Sequence, residues 1–114
     1  MVVDQVELTD AEVDRIFRAL ADATRRDIVR RTLIQEETVS QLAQDYAMSF
    51  AAVQKHVAVL EAAGLVTKQP HGRERLVRGN PAVIQHAQAL LDSYEQLWRA
   101  RISRLDALLG EDEH

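Results

Sequence analysis

Residues 38–78 read TVSQLAQDYAMSFAAVQKHVAVLEAAGLVTKQPHGRERLVR, and this stretch decides the fold. Thr38 is a good helix cap, and Val39, Leu42, Ala43 and Tyr46 then recur on one side of a short helix. A tight break is expected at Ala47-Met48. Ser49 caps a second helix whose inward face is Val53, Val57 and Leu60. Gly64 is its expected stop, because glycine takes up the left-handed conformation that a helix C-terminus favours. Beyond Gly64 the pattern changes: 65–69 and 74–78 are strand-like, and Pro70-His71-Gly72-Arg73 between them is a turn. A single hairpin is too small to stand alone, so it must lean on the helices.

Two short helices joined by a tight turn (38–63) and followed at once by a hairpin (65–78) make a winged helix-turn-helix. Upstream, Thr9 and Glu12 form a capping box for a helix over 9–21, with Val13, Ile16, Phe17, Leu20 and Ala21 on one apolar face. Asp22 caps a further helix that turns Ile28, Val29, Leu33 and Ile34 inward, and Gln35-Glu36-Glu37 ends it. Downstream, Asn80-Pro81 starts a long helix over 81–109, about 43 Å at 1.5 Å per residue. Val83, Ala87, Leu90, Leu91, Tyr94, Leu97, Trp98, Ile102, Leu105 and Leu108 recur along it every three or four residues. That apolar face exceeds what so small a core can cover, and a second copy of the chain is the economical partner. The expected architecture is a single, mainly α domain over 1–114 with a small β-hairpin wing, in the order α-α-α-α-β-β-α, forming a homodimer. The interface residues are expected to be Phe17, Leu90, Leu91, Tyr94, Leu97, Trp98, Ile102 and Leu105. Tyr94 and Trp98 serve better as interface core than as the lining of a small-molecule pocket.

The second helix of the pair must enter a groove about 12 Å wide, so its outer side has to be polar or small. Phe50, Ala51, Gln54, Lys55 and Ala58 fall opposite Val53, Val57 and Leu60. Ala51 and Ala58 permit close approach, Gln54 suits an adenine edge, and Lys55 suits a guanine or a phosphate. Ser49 and the open N–H groups of the first turn can hold a phosphate. His71, Arg73 and Arg75 at the hairpin tip can reach the minor groove or its flanking phosphates, and Lys68 and Arg78 extend the positive strip. Double-stranded DNA is therefore the expected partner. A winged-helix module mediating only protein contacts would have no reason to keep a polar, basic strip opposite the core.

The 114 residues carry a net charge of −4, which alone argues against nucleic acid, but the distribution reverses the argument. The two ends, 1–14 (including Asp4 and Glu7) and 106–114 (including Glu113), hold nine acids and no base, which leaves 15–105 at +5. No cysteine is present, which excludes disulfides, thiolate metal sites and cysteine catalysis. No apolar run reaches the length of a membrane span, and the acidic start is wrong for a signal peptide, so a cytoplasmic location without membrane contact is expected. No nucleophile has a paired base and no glycine-rich phosphate loop occurs, so neither catalysis nor a cofactor is expected.

These segments resemble the ArsR/SmtB family of bacterial winged-helix repressors, in a cysteine-free form. Ala19-Leu20-Ala21-Asp22-Ala23-Thr24-Arg25-Arg26 is similar to the family's N-terminal signature. Met48 to Val66 is similar to its recognition-helix signature, S-x-x-x-V-S-x-H-L-x-x-L-x-x-A-G-L-V, and Gly72-Arg73-Glu74-Arg75 to its wing. The resemblance spans about residues 11–105. It implies a homodimeric repressor on a palindromic operator, usually released by an effector, here an unknown small molecule if one acts. It implies DNA contacts at Ser49, Gln54, Lys55 and Arg73, and N- and C-terminal helices at the dimer interface. The chain departs from the pattern at Gln54 (commonly serine), Val57 (leucine), Ala23 (proline) and Leu76-Val77, which lacks a tyrosine; Gln54 points to a different operator. The family's cysteine box has no counterpart in Thr38–Ala43. Its second metal site would fall on His86 with Asp92 or Glu95, and one histidine per chain is thin for zinc, so no metal is expected. His56, on the flank of the inward face, reads as a packing histidine.

Overall fold

The computed structural model describes residues 8–112; Asp4, Glu7 and Glu113 of the acidic ends lie outside them. The elements run α1 (Asp10–Leu20), α2 (Ala23–Ile34), β1 (Glu37–Thr38), α3 (Val39–Gln44), α4 (Phe50–Ala62), β2 (Val66–His71), β3 (Glu74–Gly79) and α5 (Pro81–Asp112). Each of the first four helices starts where a side chain can accept an orphan N–H. Thr9 and Glu12 close a reciprocal capping box on α1, and Thr38 and Gln41 do the same on α3. Asp22 accepts from the Arg25 N–H at 3.0 Å, and Ser49 from the Ala52 N–H at 3.1 Å. Such caps are each worth about 1 kcal/mol.

The end of α4 is equally determined. Gly64 has φ 77°, the Gly64 N–H bonds to the Glu61 carbonyl, and the Leu65 N–H bonds to the Leu60 carbonyl. This is a Schellman motif, closed by the buried Leu60 and Leu65 side chains. Asn80 then ties the start of α5 to the same corner. Its N–H donates to the Leu65 carbonyl and its side-chain amide to the Gly64 carbonyl, both at 2.9 Å. Its side-chain oxygen accepts from the Ala82 N–H in the first turn of α5.

One core holds the elements together. Ile16 and Ala19 come from α1, Ile28 and Val29 from α2, Leu42 from α3, and Val53, Val57 and Leu60 from α4. Val66 and Val77 cover it from the sheet, and α5 joins only through Val83, Ile84 and Ala87.

Three expectations are corrected. The sheet has three antiparallel strands, not two: β1 pairs with β3 (Glu37 opposite Val77), giving the order β1-β3-β2. A two-residue strand shows no alternation to read, and Glu37 is held there by Arg31, whose Nε lies 3.0 Å from its carboxylate. Second, Phe17 and Ala21 do not share the inward face of α1. That helix meets the core along a narrow line through Ile16 and Ala19, and Phe17, one residue round from Ile16, is 38% exposed. Third, Leu33 and Ile34 do not point inward; Ile34 is 75% exposed, and Thr32 takes the buried position. The Thr32 hydroxyl donates to the Ile28 carbonyl at 2.8 Å, which satisfies it without a polar neighbour in the core.

The wing is a two-residue hairpin in which His71 faces Glu74. Gly72 has φ 64° and Arg73 a negative φ, the II′ arrangement whose twist suits paired strands. Pro70 lies on β2, an edge strand, where its missing N–H costs no ladder bond.

Candidate nucleic-acid interface

Burial of Val53, Val57 and Leu60 fixes the rotation of α4. Phe50, Ala51, Gln54, Lys55 and Ala58 consequently stand on its exposed side, as the sequence led us to expect. β2 and β3 carry the wing tip alongside the start of this helix. Between them lies a cleft of about 370 Å³, lined by Ser40, Phe50, Gln54, Lys68, Arg73 and Arg75 among others. Side chains more than thirty residues apart in sequence therefore face one space. The Ser49 hydroxyl oxygen is occupied as the α4 cap, but its hydrogen remains available to donate outward.

The basic residues are not equivalent. The Lys68 ammonium lies 3.3 Å from the Glu61 carboxylate, and Arg78 pairs with Glu36. Lys55, Arg73 and Arg75 form no ion pair among the described residues, so the positive charge that the cleft and wing offer to a partner is concentrated on them, with exposed His71 beside them. Ser40 and Glu74 also line the cleft and were not anticipated. The usable signal for Ser40 was its place two residues after the Thr38 cap, on the exposed side of α3.

A second feature missed from sequence is the joint behind α4. The Arg25 guanidinium donates to the Ala19 carbonyl at 2.7 Å and the Arg18 carbonyl at 3.1 Å, closing the end of α1. Its remaining nitrogen lies 3.3 Å from Nδ1 of His56 on α4. Arginine only donates, so Nδ1 accepts here and the imidazole proton sits on Nε2. His56 is thus a packing residue rather than a base reader. The Asp22 carboxylate lies 3.9 Å from the same nitrogen, beyond hydrogen-bond range. The Asp22 carboxyl is held below its usual range chiefly by the Arg25 N–H that it caps. Arg26 adds a bond to the Leu20 carbonyl at 2.8 Å. The signal was present: two arginines, Arg25 and Arg26, in the first turn of α2, within reach of the last carbonyls of α1.

A further cluster braces α2 against β1 and α3. The Tyr46 hydroxyl donates to Asp27 at 2.6 Å, and Arg31 lies over the Tyr46 ring and 2.9 Å from Asp45. Burial, followed by the bond to Asp27, pushes the Tyr46 hydroxyl up to about 12, and that same bond holds the Asp27 carboxyl below its ordinary value.

Away from the cleft, every residue from Leu91 to Gly110 is exposed, and Leu90 is half-buried. Leu91, Tyr94, Leu97, Trp98, Ile102 and Leu105, with Leu108 and Leu109 beyond them, therefore form an uncovered apolar face. Phe17 on α1 is exposed as well. On α5, Asp92 accepts a bond from Gln88, Glu95 faces Arg99, and no three histidine, aspartate or glutamate side chains gather among the described residues. No described helix is long and apolar enough to cross a membrane.

Comparison with known proteins agrees with this geometry. Residues 22–68 match the model of the bacterial regulatory proteins of the arsR family. The chain is 38% identical over 81 residues to the HTH-type transcriptional regulator Rv2034 of Mycobacterium tuberculosis, covering 71% of this chain and 76% of that protein. Among solved structures, an ArsR-like transcriptional regulator from Rhodococcus sp. RHA1 superposes with a TM-score of 0.75 at 30% identity, over 86% of this chain and 92% of that one. The homodimeric winged helix-turn-helix DNA-binding domain Mb0332 of Mycobacterium bovis shares the fold, with a TM-score of 0.62 at 19% identity over 81% of this chain and 92% of that one. With its cleft between α4 and the wing and its cysteine-free sequence, the chain belongs to the ArsR family of winged helix-turn-helix, DNA-binding regulators of transcription.

Proposed function

We propose that the protein is a repressor that binds a palindromic operator as a homodimer. The observation that carries this reading is the rotation of α4: its valines and Leu60 are buried while a small, polar and basic side stays open beside a basic wing. In this reading α4 lies in the major groove, with Gln54 on an adenine edge and Lys55 on a guanine or phosphate. Ser49 and the first turn of α4 hold one phosphate, and His71, Arg73 and Arg75, with Lys68 behind them, hold the flanking backbone. The uncovered face from Leu90 to Leu105, with Phe17, is taken up by a second copy, which presents two α4 helices to half-sites about one helical turn apart. The homodimeric state of the Mycobacterium bovis neighbour supports that assembly.

The test is a mobility-shift titration of the full chain against duplex from upstream of its own gene, repeated at several salt concentrations. Saturable binding that falls steeply with salt and outlasts a large excess of unrelated duplex is expected. Equal affinity for every duplex, or none for any, refutes the reading.

A further inference from the structure

Phe50 is only half covered by the protein. It is the first residue of α4, is 47% exposed and stays outside the core that Val53, Val57 and Leu60 join. It lines the cleft together with Val39, Val57, Gln54, Arg73 and Arg75, so an apolar patch lies among groups suited to polar and anionic partners. Ala51 beside it is exposed and too small to hold a partner away. The exposed part of the phenyl ring stays in water unless a partner brings an apolar surface to it.

The floor of the major groove offers one apolar group, the C5-methyl of thymine. Guanine, cytosine and adenine present only donors and acceptors there, and a phenyl ring would strip these of water without replacing the bonds. Resting on α4 as the groove-entering helix, we propose that Phe50, with Ala51 allowing close approach, reads a thymine methyl in each half-site. Gln54 lies one turn further along the same side, a rise of about 6 Å, so the adenine that it reads falls within about two base pairs of that thymine. The resulting specificity is for a short A·T-containing step, with Phe50 selecting the methyl and Gln54 the amine.

The experiment starts with selection of bound sequences from randomised duplexes by the full-length protein. Duplexes of the enriched sequence are then made with uracil in place of one thymine at a time, which removes only the methyl group, and binding is followed by fluorescence anisotropy. For the unaltered protein, uracil at one or two positions in each half-site is expected to weaken binding about fourfold, the effect of losing one buried methyl. In Phe50→Ala, affinity for the thymine duplex falls and the uracil penalty at that position disappears. In Gln54→Ala the penalty remains, while preference at the neighbouring adenine relaxes. Because Phe50 lies outside the core, Phe50→Ala should still melt cooperatively, with its midpoint lowered by only a few degrees, which separates a reading role from a folding one.

Uracil tolerated at every position by a protein that still selects a sequence overturns the methyl reading and leaves the operator reading standing. A penalty that persists unchanged in Phe50→Ala also overturns it. If no sequence is enriched and no duplex is bound, the groove reading fails and this inference fails with it.

Discussion

Replacing Trp98 with aspartate puts a carboxylate in the middle of the uncovered face of α5. Trp98 is 57% exposed, and the guanidinium of Arg101 on the same helix lies 5.8 Å above its ring. Burying a large side chain completely is worth about 1.5–3 kcal/mol, so covering the exposed half in an interface contributes roughly 1–1.5 kcal/mol per copy. Symmetry doubles that loss, and each buried carboxylate adds an effective penalty of several kcal/mol. Arg101, three residues on, lies near enough to offset part of the charge, which leaves a total of at least about 5 kcal/mol. At 1.4 kcal/mol per decade, that raises the dimer dissociation constant by more than about a thousandfold. Sedimentation velocity at micromolar concentration should show Trp98→Asp as a monomer and Trp98→Phe as a dimer. The monomer should also lose helical signal in circular dichroism, because the part of α5 beyond Leu90 then lacks the tertiary packing from which most helical stability in proteins comes. A Trp98→Asp protein that sediments as the parent does, with its full helical signal, would remove α5 from the interface and with it the account of how two α4 helices are spaced.

Arg73→Ala should weaken binding to all duplexes alike and lower the salt slope by about one ion, whereas Gln54→Ala should cost about 1–3 kcal/mol at one base pair; competition titrations at several salt concentrations separate the two. Gly79→Ala should destabilise the fold by roughly 1–3 kcal/mol in urea unfolding, because a Cβ there would sit 2.7 Å from Cγ and 2.9 Å from the backbone nitrogen of Leu33. Tyr46 gives an alkaline limb. Its folded value of about 12 lies above the ordinary 10, so its contribution is whole below pH 10 and is lost as pH climbs to about 12; melting of Tyr46→Phe should lack that limb. The Asp27 carboxyl is depressed, so its share is present above its ordinary value of 3.8 and disappears as pH falls below it; Asp27→Asn should flatten the acid side of the melting profile.

The elements were legible because each carries its own punctuation. Thr9, Asp22, Thr38 and Ser49 are caps in both sequence and structure, and Gly64 and Gly72 sit where a positive φ is required. The rotation of α4 followed from the spacing of Val53, Val57 and Leu60, and with it the identity of the outer face. Tertiary contacts decided the rest. Periodicity along α2 cannot tell Leu33 from Thr32 as the buried residue, because a threonine that returns its hydroxyl to the Ile28 carbonyl is as good a core residue as its methyl allows. It cannot foresee β1, which exists only because β3 has an open edge and Arg31 is placed to hold Glu37. The cleft was legible as two sides and not as one space: counting residues gives the composition of the wing tip and of α4, while their approach depends on how β2 leaves the Gly64 corner. Nor does counting reveal that Lys68 and Arg78 have acidic partners, since Glu61 and Glu36 reach them only through the folded chain.

The two exposed surfaces are mechanically joined through α4. At its middle, His56 meets Arg25, which also grips the last carbonyls of α1, the helix that carries Phe17 outward. At its end, Asn80 fastens Leu65 and Gly64 to the first turn of α5, the helix with the uncovered apolar face. Buried Ile16 and Ala19 lock α1 to the same core that Val53 and Val57 enter from α4. A tightly packed interior transmits displacement rather than absorbing it. The position of α4 is consequently fixed relative to α1 and α5, through Arg25 and Asn80. Association along those helices therefore sets the distance between two copies of α4, and that distance, rather than any base contact, decides whether both can enter one duplex a turn apart.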